Sequence, residues 1–235
     1  MQARCECLPG PWHSRQGTKM GIKERKQRER ERRRQQIIVA AKRVFSEKGF
    51  NKATIEDIAR DAELSPGTLY LYFKNKEELY ASLSLRILQY LAIRVEHVKN
   101  EVNLGPTEKL DALMKAMYDV YEFDPLILIN MFHLQSSETI KNLSPELLDE
   151  LNELTRKSIG TIAALFEDGI HKAYIRKEHP TALADIFWSM FSGVVLLETS
   201  KHVLNEDNDF LKETLELAFE IFSKGIAQSS APNAG

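Results

Sequence analysis

Only two cysteines occur in the 235 residues, Cys5 and Cys7, both at the extreme N-terminus. A Cys-x-Cys pair with no second pair and no nearby histidine ladder does not complete a zinc site, so no metal is expected. It builds no disulfide framework either, which fits a reducing compartment and a cytoplasmic protein. Glycine (11) and proline (8) are scarce for the length, which argues against an all-β chain with many tight turns. No apolar run approaches the ~20 residues of a membrane-spanning helix, and the N-terminus lacks the apolar stretch of a signal peptide. The six histidines (His13, His97, His133, His171, His179 and His202) are scattered, with no two at ligand spacing. No Walker loop, dinucleotide fingerprint or paired nucleophile and base is present, so neither an enzyme nor a cofactor is expected.

What is present is apolar residue at helical spacing and an uneven charge. Hydrophobic residues make up 43%, enough for a core and too many for general disorder. The net charge of −2 hides an asymmetry. Residues 1–80 hold 18 Lys and Arg against 11 Asp and Glu, a net of +7, and residues 81–235 hold 14 against 23, a net of −9. A basic front half suits a polyanionic partner, and a solvated basic helix with no partner fits the charge equally well.

Residues 1–19 carry Pro9, Gly10, Pro11 and Gly17 without helical period, and Met20 opens a charged helical stretch. Met20 is therefore expected as the natural start, with residues 1–22 a disordered leader. Residues 23–34, almost wholly charged, are expected as a helical or fraying extension that tracks phosphates or enters a minor groove. Ile37, Ala40 and Val44, with Ile38, Ala41 and Phe45, mark one face of a helix ending at Gly49. Thr54 with Asp57 forms a capping-box pattern ahead of Ile55, Ile58, Ala59 and Ala62. Ser65 and Pro66 cap a short helix through Phe73, and Asn75 caps a long one with the stripe Leu79, Leu83, Ile87, Leu91, Val95 and Val98. Later helices are expected from Pro106 to about Phe123, from Leu126 to Leu134, from Pro145 past Gly169, over residues 182–201 and over residues 210–227. Residues 205–209 read as a loop and residues 229–235 as a disordered tail. The class is all-α. A head over residues 23–80 precedes a larger helical body over residues 81–228.

Two short helices joined by a tight turn and packed on a preceding helix form a helix-turn-helix pattern. The second helix of that pattern meets the major groove, and small or polar residues at its start allow close approach. Ser65, Pro66, Gly67 and Thr68 meet this demand. Gly67 costs a helix about 1 kcal/mol against Ala, which a core has no reason to bear.

The stretch TIEDIARDAELSPGTLYLYFKNKEELY, residues 54–80, resembles the DNA-binding signature of the TetR (tetracycline-repressor-like) family. The likeness rests on Thr54, Ile58, Ala59, Ala62, Leu64, Ser65, Gly67, Tyr70, Tyr72, Phe73, Lys76, Glu77 and Leu79, and extends upstream through Ala40, Phe45, Gly49 and Phe50. It covers about 45 residues. The family usually has Gly where this chain has Glu63, so a mildly strained turn is expected there. The resemblance implies a transcriptional regulator, usually a repressor. It places Thr54, Tyr70, Tyr72 and Lys76 on phosphates and Ser65, Pro66, Gly67, Thr68 and Leu71 near base edges.

It further implies a homodimer on a palindromic operator, paired through the last two helices. Ile186, Met190, Gly193, Val194, Leu197, Leu215, Ala218, Ile221 and Phe222 are the candidate interface, although helical stripes do not separate interchain from internal burial. An effector pocket is implied between residues 104 and 180, with Met114, Met117, Tyr121, Phe123, Met131, Phe132, His133, Phe166 and Trp188 as candidate lining for a small apolar ligand. The alternative is a DNA-binding factor whose body meets a protein partner, which a filled body without a pocket would favour.

Overall fold

The computed structural model describes residues 21–135, 138–204 and 210–228, with the side chains of His133, Gln135, Glu138, Thr139 and residues 202–204 left aside. The expected leader (apart from residues 21 and 22), the loop 205–209, the tail 229–235 and the cysteine pair lie outside these residues. The described chain is α1 (Ile22–Lys52), α2 (Ile55–Asp61), α3 (Pro66–Tyr70), α4 (Lys76–Asn100), α5 (Pro106–Phe123), α6 (Pro125–Gln135), a 3-10 turn (Glu138–Asn142), α7 (Pro145–His171), α8 (Pro180–Leu204) and α9 (Leu211–Ile226). The all-α architecture expected from the sequence is the one observed.

The helix starts follow from local chemistry. Proline opens α3, α5, α6, α7 and α8, where no backbone N–H is needed and the ring presets φ. In α1, Gly49 adopts φ 72°, ψ 162°, outside helical geometry, so the regular helix breaks there as expected and a short separate turn follows to Lys52.

The centre of the molecule is α4. Leu79, Leu83, Ile87, Leu91, Val95 and Val98 are buried along one stripe. It packs on α1 in the head and on α5, α6 and α7 in the body. Each such fully buried aliphatic side chain contributes roughly 1.5–3 kcal/mol. In the body, Phe166, Phe187, Phe219 and Phe222 meet at ring-centroid distances of 5.2–5.9 Å. Two features had no signal in the helical periodicity. One is the 3-10 turn. The other is an isolated antiparallel bridge, in which Arg176 N–H donates to the Ile226 carbonyl at 2.9 Å and Gln228 N–H to the Tyr174 carbonyl at 2.8 Å. The expectation of no long apolar run needs correction: Pro180–Lys201 within α8 is long and apolar enough to cross a membrane by length and composition. Asp185 and Glu198 interrupt the run on paper, but they are too few to lower its average. One side of α8 packs on α6, α7 and α9.

Candidate nucleic-acid interface and ligand groove

Reciprocal capping sets α2. Asp57 N–H donates to Thr54 Oγ1 at 3.1 Å, and Thr54 N–H donates to Asp57 Oδ2 at 3.3 Å. Asp57 also pairs with Lys48 at 2.8 Å and with Arg60. The bond from Lys48, ahead of those from Thr54, outweighs desolvation and holds the Asp57 carboxyl down at about 2. The turn after α2 is a Schellman closure: Leu64 N–H reaches the Ala59 carbonyl at 2.8 Å, and Glu63 N–H reaches that of Arg60 at 3.1 Å. Glu63 takes φ 55° there, a conformation that favours glycine. From α1, Gln36 braces the turn by donating Nε2–H to the Ala62 carbonyl at 2.8 Å.

Ser65 then starts α3. Its Oγ accepts from Thr68 N–H at 3.1 Å and lies 2.9 Å from Thr68 Oγ1. Leu69 and Phe73 anchor the helix in the core. On the outer side Ser65, Pro66 and Gly67 are exposed, with Tyr70 52% and Leu71 73% exposed, while Thr68 and Tyr72 are half-buried. An apolar Leu71 facing solvent is a cost to the isolated protein. Thr54 is exposed at the start of α2. Lys76 behaves differently from an outstretched phosphate ligand. Its ammonium donates to the Phe50 carbonyl at 2.8 Å and the Ala53 carbonyl at 3.1 Å, and lies 4.4 Å from the Phe50 ring centre. It closes the end of α1, and only its backbone N–H at the start of α4 remains oriented by the helix.

Among the contacts that join the head to the body, two buried ion or carboxylate contacts were not singled out from sequence. Glu78, buried in the first turn of α4, accepts from Lys74 N–H at 2.8 Å and from Ser144 N–H, ahead of α7, at 3.2 Å. Burial works against its charge, yet these bonds outweigh it and hold the carboxyl below its ordinary range. Lys42 of α1 pairs with Asp124, buried between α5 and α6, whose Oδ1 also accepts from Ile127 N–H at 3.3 Å. Glu78 stands three residues after the capping Asn75 and carries no other local signal, and no sequence spacing joins residue 42 to residue 124.

The expected effector residues are dispersed. Met117, Met131, Phe132 and Phe166 are buried in the packed core. Trp188 is half-buried against Phe132 and Phe191, each at 5.8 Å. Phe123 is partly exposed and stacks on Tyr90 at 4.1 Å, Tyr121 is half-buried, and the His133 side chain is outside the described residues. These side chains fill space rather than surround it. A half-open groove of about 790 Å³ lies instead between α5 and α9. Met114, Tyr118, Leu215 and Phe219 form its apolar floor, and its rim carries Asp111, Asp119, Glu122, Glu216 and Glu220 against Lys115, Lys212 and Lys224. Met114 is the one expected effector residue that lines it. Tyr118 lies one turn beyond Met114, a spacing visible in the sequence. Phe219 was missed because α9 was weighed as interface or internal core and not as a groove wall.

On α8, Ile186, Gly193 and Leu197 are exposed and Met190 and Val194 half-buried, a stripe at spacings of three and four. On α9, Ile221 is exposed, at 63%, and Ala218 half-buried. The expectation for Leu215 and Phe222 needs correction. They are 1% and 9% exposed within the single chain, because α9 turns that face toward α5 and Phe166.

Residues 37–83 match the family model described as bacterial regulatory proteins, tetR family, and residues 96–228 match the QacR-like protein, C-terminal region. The chain is 27% identical over 193 residues to the fatty acid metabolism regulator protein of Bacillus subtilis, covering 81% of this chain and 94% of that one. Its fold is similar to that of the TetR family regulator PfmR of Thermus thermophilus, with TM-score 0.64, 22% identity and coverage of 80% and 97%. It is also similar to FadR of Bacillus subtilis in complex with stearoyl-CoA, with TM-score 0.62, 23% identity and coverage of 82% and 98%. With both family models matched, and together spanning most of the chain, the protein belongs to the TetR family of bacterial transcriptional regulators.

Proposed function

We propose that this regulator is a cytoplasmic repressor that binds a palindromic operator as a homodimer and is released by a small, largely apolar effector. The observation that carries the reading is the outer face of α3, where Ser65, Pro66, Gly67, Tyr70 and Leu71 are held exposed on a rigidly capped support. An α-helix with a small-residue start fits the major groove, and exposed apolar and hydroxyl groups there read thymine methyls and phosphates. A five-residue helix touches few base pairs, so two copies about 34–36 Å apart supply the site length. The exposed stripe of α8, with Ile221 and Ala218 of α9, supports pairing through these helices. Thr54 and the N–H groups at the start of α4 are assigned to phosphates.

For the effector, the relatives' names, a fatty acid metabolism regulator and a regulator bound to stearoyl-CoA, support a molecule with a long apolar chain. The groove between α5 and α9 offers an apolar floor in the size range of ligand sites, and its excess of acids disfavours a strongly anionic head. The effector acts only to the extent that it binds one head spacing better than the other. A second reading, a protein partner on the body, is favoured by the close packing of Phe132, Phe166, Phe187, Phe191 and Trp188. Selection of bound duplex from a random pool, followed by titration with fatty acids and acyl thioesters, tests the proposal. A palindrome whose affinity drops with ligand is expected. Failure to enrich any duplex defeats the DNA reading, and a palindrome indifferent to every ligand defeats the effector.

A further inference from the structure

The first third of α1 has no fold-level reason to be helical. Residues 21–32 are all exposed, and none of them belongs to the core. A helical segment that is polar all round and packs on nothing is marginal by itself, so a partner surface is the natural source of support.

Its charge is arranged by face. Lys23, Lys26, Arg30 and Arg34 fall at i, i+3, i+7 and i+11, one line along the helix, and Arg25 and Arg28 lie on the other side. The acids are mostly occupied by local neighbours. Glu29 pairs with Arg32 at 2.6 Å and Arg33 at 3.8 Å, and Glu31 accepts from Gln35 at 2.8 Å. Lys23, Lys26 and Arg30 have no hydrogen-bond or ion-pair partner among the described residues. The fourth member of the line roots it in the head. The Arg34 guanidinium lies 5.0 Å from the Phe73 ring centre, just past α3, and 3.4 Å from Ser82 Oγ. Arg32 and Gln35 border the recess at Ala62 and Glu63, the turn between α2 and α3. The basic line therefore leaves the head beside the element that meets the major groove.

We propose that the Lys23–Lys26–Arg30 line of α1 runs along the phosphates of the duplex that flanks the operator core, outside the reach of α3. The inference rests on the DNA-binding reading above. An α-helix is about 10–12 Å across, wider than the ~6 Å minor groove, so the extension follows a phosphate rail rather than entering that groove. Eleven residues of helix reach about 16 Å, close to five base-pair steps of duplex. Each protomer adds such a contact zone at an outer end of the palindrome.

The test uses the full chain and the duplex selected from the random pool, once trimmed to its palindromic core and once with about 10 flanking base pairs on each side. Lys23→Gln/Lys26→Gln/Arg30→Gln removes the line, and Arg25→Gln/Arg28→Gln removes charge from the opposite face. Glutamine keeps helix propensity, and circular dichroism verifies the fold of each variant. The wild type is expected to prefer the flanked duplex. The triple variant is expected to lose that preference and to flatten the slope of log affinity against log salt by about 0.9 for each phosphate no longer neutralised. The double variant is expected to keep both. Equal loss in both variants means diffuse attraction and overturns the proposal, as does a triple variant indistinguishable from wild type. A wild type that binds neither duplex removes the DNA reading itself.

Discussion

At the scale of single residues, Gly67 separates a structural role from a functional one. A Cβ built there meets only Ser65 Oγ, at 3.9 Å, so the fold has room for alanine. Gly67→Ala is expected to stabilise the protein by about 0.5–1 kcal/mol, since Gly is the poorer helix former. The same change is expected to weaken operator binding at least about tenfold, a 1.4 kcal/mol effect, because the methyl stands between backbone and DNA. Thermal unfolding and a binding isotherm check the two signs, and alanine without a binding defect would remove Gly67 from the interface. Asp57 gives a pH signature. Its carboxyl is lowered from 3.8 to about 2 in the folded chain, so its contribution is complete above about pH 5 and is lost as the pH falls through about 2. Lys48→Met is expected to raise the pH of acid unfolding of the head, followed by circular dichroism. The caps were legible as residues: Thr54 and Ser65 bond as their spacing implied, and Glu63 takes the left-handed conformation expected of it. The side-chain contacts of Lys76 were not, because its ammonium is held by the Phe50 ring and the Phe50 and Ala53 carbonyls, and nothing local in the sequence brings residue 50 to residue 76.

Among the elements, helix starts were read to within a residue or two wherever proline or a capping side chain stood. Those signals are local and chemical. Which neighbour a helix face meets is a long-range matter. Thus α9 was read as an interface, whereas the structure divides it, with Leu215, Phe219 and Phe222 turned inward and Leu217 and Ile221 outward. The aromatic residues assigned to a pocket divide for the same reason, with Phe132 and Phe166 in the core and Tyr121, Phe123 and Trp188 at its margin: composition cannot tell a ring that surrounds space from a ring that fills it. The junction of α4 with α7 yields a prediction at this scale. Glu78→Ala leaves the Lys74 and Ser144 N–H groups without their carboxylate. It is expected to cost about 2 kcal/mol in urea unfolding, in line with a lost acceptor for buried donors. Operator affinity is expected to become less sensitive to effector, since the tie between reading head and body is cut. A variant as stable and as responsive as wild type would refute that assignment.

For the whole molecule, the exposed α8 stripe is where the proposed pairing is tested. Leu197 is 55% exposed in the single chain, so Leu197→Glu should leave protomer folding within about 0.5 kcal/mol. In a dimer paired through α8 it buries a charge. Sedimentation velocity is expected to show monomer, with operator affinity reduced at least about tenfold. A dimer that survives the change would move the interface elsewhere.

Helix α4 runs unbroken from Lys76 beside the head to Asn100 in the body, and the bonds of Glu78 to Ser144 and of Lys42 to Asp124 clamp the parts beside it. A blade set on one shaft and clamped beside it moves as the shaft moves. Any shift that an effector imposes on the body is therefore expected to reach the reading end as a displacement of that shaft.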